Sequence, residues 1–172
     1  MDDTVRFGSA VYFAILAILF CSRAADFLST WVATPNLVLE ANPIAKKLGW
    51  RGGIALNVAV CIGFAVWPLP AIVLSTPSVL VAARNFQWAW LMRSMGEEEY
   101  RYWMVERLRE TPILLYLFCV LAQAALMASI GLALMYFSNM HPVLFAVGGG
   151  IVTYALAVTF FTSLALWRVR RG

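Results

Sequence analysis

Residues 8–32 read GSAVYFAILAILFCSRAADFLSTWV, an apolar run long enough to cross a bilayer that carries Arg23 and Asp26 inside it. A hydrocarbon core about 30 Å thick takes roughly 20 helical residues, so the run satisfies the length rule. A charge at that depth costs roughly 3 kcal/mol on insertion scales and is kept where it has a partner or a task. At about 100° per residue, Ser22, Arg23, Asp26, Ser29 and Thr30 fall within an arc of roughly 120°. They form one polar stripe, which must face protein, water or a ligand rather than lipid. Arg23 and Asp26 are three apart and can pair within the helix.

The rest of the chain has the same character. Of 172 residues, 62% are hydrophobic and 13% charged, and the mean hydropathy is +0.79. Soluble domains carry about 25% charged residues, so this is an all-α, polytopic integral membrane protein. Residues 1–172 are expected to form a single transmembrane helical domain of about five spans: 8–32, 53–74, 78–95, 112–137 and 142–167. The third is the weakest, being short and carrying Arg84, Asn85 and Gln87, while Asn57 lies in the second. Pro68, Pro70 and Pro77 supply the breaks between the second and third, and Pro112 and Pro142 suit the first turn of a helix. Met1, Asp2 and Asp3 lack the basic start of a cleaved signal peptide.

Lys46, Lys47 and Arg51, then Arg93, Arg101, Arg107 and Arg109, then Arg168, Arg170 and Arg171 fall in segments that a five-span topology puts on one side. The retention of basic residues in the cytoplasm makes that side cytoplasmic, with the C-terminus there and the N-terminus outside. The net charge of +4 is thus a matter of topology, and no nucleic acid is implied as a partner. Trp50, Trp88, Trp90, Trp103 and Trp167 lie near expected interfaces, where an amphipathic ring is favoured. Residues 96–110 open with Glu97, Glu98 and Glu99 and end with arginines, which suits a short surface-lying helix aligned with its dipole.

Arg84 raises a question of charge balance. Counted from the span centres, it falls close to the depth of Arg23, and two arginines facing Asp26 leave one positive charge over. Glu40 closes the set if residues 33–43 fold back; otherwise the spare charge attracts a lipid phosphate or a substrate carboxylate, both matched by the planar fork of Arg. Locally, Asn42 caps a short helix with Pro43 at its first position, and Gly49, Gly52 and Gly53 end it.

An aspartate followed by Ser29 and Thr30, then Glu40, Ala41, Asn42 and Pro43 about ten residues on, resembles the pattern of the DUF5658 family of small prokaryotic membrane proteins. Arg84 and Asn85 resemble a polar position of the same family. The resemblance covers about residues 20–95 and implies a helical membrane fold with a shared polar motif, in a family without an established activity. The last two spans look like an extension beyond it.

Catalytic constellations are poor. His141 is the only histidine, so a triad or multi-histidine metal site is excluded, and Cys21, Cys61 and Cys119 lack metal-ligand spacing and suit packing. No cofactor or metal is implied, and an enzyme is disfavoured. The repeats Ala125, Ser129, Ala133 and Gly149, Thr153, Ala157 suggest close helix packing, whereas Gln123 and Tyr154 are too sparse for a conduction path. The chain also lacks the internal repeat of many transporters. The expected function is a noncatalytic auxiliary or ligand- and lipid-binding subunit in a multi-pass location, the prokaryotic cytoplasmic membrane. Its polar cluster is Arg23, Asp26, Ser29, Thr30, Glu40, Asn42, Asn57, Arg84, Asn85 and Gln87. Its partners are membrane lipids and either further copies of itself or another membrane subunit. The alternative is a small transporter or channel that uses this cluster as its substrate or ion site, and an intramembrane enzyme ranks third.

Overall fold

The computed structural model describes residues 4–139 and 141–171. The expectation built on Met1, Asp2 and Asp3 therefore lies outside the described residues. Among those described, all regular structure is helical: α1 (Ala10–Ala33), α2 (Pro43–Phe64), α3 (Pro68–Met95), α4 (Glu97–Glu110), α5 (Ile113–Phe137) and α6 (Pro142–Arg171). Four of these, α1, α3, α5 and α6, are long and apolar enough to cross a membrane.

Helix starts follow local chemistry. Ser9 caps α1 by accepting from the Tyr12 amide at 3.2 Å, and Asn42 caps α2 by accepting from Ile44 at 3.0 Å. Of the glycines after that cap, Gly49 ends the first short helix at a kink, while Gly52 and Gly53 lie inside the helix that follows. Only Gly49 leaves helical geometry, at φ 62°, and the helix resumes at Trp50 and runs on through Gly52 and Gly53. The positive φ explains why Gly stands there: no Cβ is present to clash.

The boundary between the second and third expected spans falls elsewhere than at Pro77. Helix α2 stops at Phe64, α3 starts at Pro68, and Pro77 sits inside α3. Pro68 and Pro70 occupy the first turn, where the missing N–H is no loss. Pro77 removes an internal hydrogen bond, but Thr76 Oγ1 donates to Ile72 O at 2.9 Å and Ser78 Oγ to Leu74 O at 3.1 Å. These hydroxyls bond the carbonyls on either side of Val73 O, the one that loses its amide donor to Pro77.

The helices line up in the order α2, α1, α3, α6, α5, with neighbours packed in sequence along that row. Helix α2 runs antiparallel to α1: Gly53 lies by Phe27, Asn57 by Arg23, and Ile62 O accepts from the Tyr12 hydroxyl at 3.2 Å. Its straight part, residues 50–64, is only about 21 Å long, which keeps it below the length of an ordinary span. Tyr12, Leu19, Cys61, Ala65 and Ala71 form the buried core where α1, α2 and α3 meet. Cys61 is a packing residue, whereas Cys21 and Cys119 lie on the outer surface.

Between α5 and α6 the contact register differs from the expected small-residue repeats. Ser129, Ala133 and Thr153 are exposed, and the backbones meet instead at Gly131 and Gly148. A Cβ on Gly131 would come within 2.7 Å of Gly148 O, and one on Gly148 within 2.5 Å of Gly131 O. Gly150 lies equally close to Thr76 of α3. Small residues recur often enough in these helices that spacing alone picked the wrong face.

The basic segments share one end. Thr34 meets Glu97, Trp50 Nε1 donates to Pro35 O at 2.8 Å, and Arg170 Nη2 donates to Leu108 O and Thr111 O at 3.1 and 2.7 Å. These contacts gather the C-terminal ends of α1 and α6, the start of α2, and α4. At the other end, Val5 N donates to Val66 O at 2.8 Å.

Candidate functional site

Arg23 joins three helices. From half-buried α1 it donates through Nε to Asn57 Oδ1 of α2 and through Nη1 to Ser78 Oγ of α3 at 2.7 Å. Nη1 also lies 3.5 Å from Asp26 Oδ2, so the expected internal pair is present. Asn57 is held in turn by its own donation to Gly53 O at 2.8 Å, and Ser78 by its bond to Leu74 O. About two turns nearer the basic end, Asn85 of α3 donates to Ser29 Oγ at 3.3 Å and Thr30 Oγ1 at 3.2 Å. Ser22 and Ser29 are buried and bond back to backbone carbonyls of their own helix.

The arrangement has a simple chemical meaning. A guanidinium with a carboxylate and two neutral acceptors on neighbouring helices is balanced in charge and tied to both neighbours by hydrogen bonds. Removing any one partner leaves a charged or polar group short in a poorly solvated place.

Three residues of the sequence-derived cluster stand apart from this junction. Glu40 Oε1 accepts from the Asn42 amide at 2.7 Å, closing the turn before the α2 cap. It is within 4 Å of neither Arg23 nor Arg84, so it does not form the closing ion pair. Asn42 is spent on the cap. Gln87 is exposed and makes no side-chain hydrogen bond among the described residues.

Arg84 is not at the depth of Arg23. Arg23 is level with Ser78, and Arg84 lies six residues further along α3, about 9 Å nearer the basic end. It is half-buried and has no ion-pair partner among the described residues.

A second polar centre escaped the sequence reading. Glu97, at the start of α4, accepts from Thr34 Oγ1 at 2.6 Å, from the Asn36 amide and side chain at 3.0 Å each, and from the Val38 amide at 3.1 Å. Thr34 Oγ1 in turn accepts from the Leu39 amide at 3.1 Å. Burial pushes the Glu97 carboxyl up, but the bonds from Thr34, Asn36 and Val38 outweigh it and hold the group below its ordinary value. The clasp encloses Leu37, whose φ of 57° is an unfavourable left-handed conformation for a branched aliphatic residue. The only signal in the sequence was a run of three glutamates, which suits a helix start and says nothing of which one folds inward. Glu98 faces Arg101 in an exposed pair at 3.8 Å.

On the outer side of the α1–α3 seam lies an apolar groove of about 540 Å³ that includes Ile18, Cys21 and Ala25 of α1 and Ile72 and Ser75 of α3. Ser75 Oγ is buried there without a hydrogen-bond partner. No group of three or more His, Cys, Asp or Glu side chains suited to a metal is found among the described residues.

Among the described residues the chain is all-helical, with four helices long and apolar enough to cross a membrane and an arginine that ties three helices together. No family model, curated protein or solved structure matches it.

Proposed function

We propose that this chain is a noncatalytic auxiliary subunit of a membrane assembly that also binds lipid, multi-pass in a prokaryotic cytoplasmic membrane. The observation that carries this reading is the engagement of Arg23 with Asn57, Ser78 and Asp26. A substrate site needs polar groups that are free until the substrate arrives. These groups already engage one another, which favours a clamp over the competing reading of a small transporter or channel.

The gathering of basic residues at one end supports a cytoplasmic C-terminus and an external N-terminus. The antiparallel course of α2 beside α1 supports five crossings, with α2 as a short one. Helix α5 packs on α6 alone and leaves a broad apolar surface, with Leu114, Phe118 and Leu126 each about two-thirds exposed or more. Such a surface suits lipid, a further copy of the chain or another membrane subunit. Membership of the DUF5658 family is part of this proposal and rests on the motif from Asp26 to Pro43.

The test is gentle purification of the tagged full chain from its native membrane in mild detergent, followed by native mass spectrometry. A foreign subunit or a retained lipid at defined stoichiometry is the expected result. A bare monomer from several detergents would overturn the reading.

A further inference from the structure

We infer that α5 is the seam of a symmetric dimer, in which a second copy of this chain packs on its outer face and Gln123 pairs with its counterpart near the bilayer midplane. The inference goes beyond the auxiliary role proposed above, because it names one partner and the residue that recognises it. It does not involve the Arg23 junction.

Gln123 lies about 3 Å from the midpoint of α5 at Ala125. A hydrocarbon core about 30 Å thick centred on that helix leaves the amide roughly 12 Å from the nearer headgroups. The side chain is exposed on the outside of the helix row and makes no hydrogen bond among the described residues. Other polar groups of the bundle behave differently. The hydroxyls of Ser129, Thr153 and Thr159 bond back to carbonyls of their own helices, and Asn57 returns its amide to Gly53 O while accepting from Arg23. Gln123 returns nothing to α5. Two donors and an acceptor unmet in hydrocarbon are costly, so the amide calls for a partner from outside the chain.

The residues around it form a seam. Cys119, Gln123, Leu126, Ile130, Ala133 and Phe137 are all exposed and follow one another at spacings of four, three, four, three and four. That alternation is the contact line of two helices wound left-handedly about each other, and a single polar residue on it fixes register and the number of strands. Another side of α5 is already taken, where Gly131 meets Gly148 of α6. Helix α5 ends the row of packed helices, so its outer face is open to a neighbour.

The chemistry selects a second copy. A primary amide is donor and acceptor at once, so two of them satisfy each other across a twofold axis. Copies inserted with the same topology bring Gln123 to the same depth, their α5 helices running parallel about an axis along the membrane normal. Lipid tails offer neither donor nor acceptor, and the seam carries no charge for an oppositely charged subunit to answer.

For the test, the full chain carries a donor or an acceptor dye at its C-terminus and is reconstituted in phosphatidylcholine liposomes over a series of protein-to-lipid ratios. Energy transfer is expected to exceed random proximity and to rise linearly with the acceptor fraction, as a dimer requires. Gln123→Leu is expected to move the midpoint about tenfold toward higher density, in the range of interhelical polar pairs. Gln123→Asn keeps the amide and is expected to stay within about threefold of the unaltered chain. Gln87→Leu, at an exposed glutamine of α3, is expected to leave the curve in place. Transfer no greater than random proximity, a curved dependence on acceptor fraction, or the same midpoint for Gln123→Leu and the unaltered chain would overturn the inference. Only this chain is present in the liposomes, so any of these results leaves the retention of a lipid or a foreign subunit to its own test.

Cys119 locates the face. Oxidation by copper phenanthroline and oxygen in the native membrane is expected to join two copies through this thiol, with loss of the linked dimer in Cys119→Ser and its persistence in Cys21→Ser, an exposed cysteine of α1. A dimer that depends on Cys21, or no Cys119-linked dimer where energy transfer persists, would place the contact elsewhere and overturn the seam. This measurement keeps the native glutamine, so it decides even where Gln123→Leu is not monodisperse.

Discussion

Replacing Glu97 by alanine should free residues 34–39 from α4 without unfolding the bundle. The carboxylate accepts four hydrogen bonds from Thr34, Asn36 and Val38, and Thr34 relays a fifth to Leu39. Hydrogen bonds to charged groups contribute about 1.5–3 kcal/mol each when buried. This site is partly open to solvent, and the loop amides can turn to water when released. A total of about 2–3 kcal/mol of local stability is therefore a sounder expectation than the sum. At about 1.4 kcal/mol per factor of ten, amide exchange at Asn36 and Val38 should quicken roughly 30- to 100-fold, with little change at Tyr12 or Leu19 in the core. Hydrogen–deuterium exchange on the detergent-solubilised chain reads this directly.

The same clasp makes a pH prediction of fixed sign. The folded-state carboxyl is held below its ordinary value, so its contribution is present at neutral pH and is lost as pH falls through the folded value. Protection of Asn36 and Val38, corrected for intrinsic exchange, should therefore decline on acidification in the unaltered chain and stay flat in Glu97→Ala. Exchange at those amides that ignores both the substitution and the pH would refute the clasp. Leu37→Gly offers an internal control, because it relieves the φ of 57° while keeping the bonds and should not mimic the loss.

Asp26→Asn should lower the melting temperature more than Cys61→Ala, because it leaves Arg23 with a neutral partner inside the bundle, whereas the cysteine change opens only a small cavity. Equal melting temperatures would sink the pairing. Asn57→Leu should cost about 2 kcal/mol by stranding the Arg23 Nε donor, seen as loosened α2 in exchange or limited proteolysis. Gly148→Val should separate α5 from α6, since even a bare Cβ would lie 2.5 Å from Gly131 O. A double-cysteine crosslink across that seam should then fail to form, and its persistence would argue against the backbone contact.

Legibility tracked how local each cause was. The apolar lengths of α1, α5 and α6, the Asn42 cap with Pro43, the surface helix α4 and the Arg23–Asp26 pair all depend on residues within a few positions of one another. Pro77 misled because a proline inside a long packed helix need not end it, and the α5–α6 stripe misled because many small residues share one spacing. Arg23 and Arg84 were brought together on a count of depth alone, and the register of α3 against α1 separates them by nearly two turns.

The sequence by itself determined that this is a helical membrane protein with one costly polar stripe and a basic end, since burial of apolar length and the expense of intramembrane charge are properties of composition and order. Only the tertiary structure decided which groups meet: Arg23 with Asn57 and Ser78, and Glu97 with the loop after α1. Those pairings span 34 to 63 residues for the hydrogen bonds. Their partners are set by helix register and rotation, which packing of whole faces fixes and no local pattern encodes.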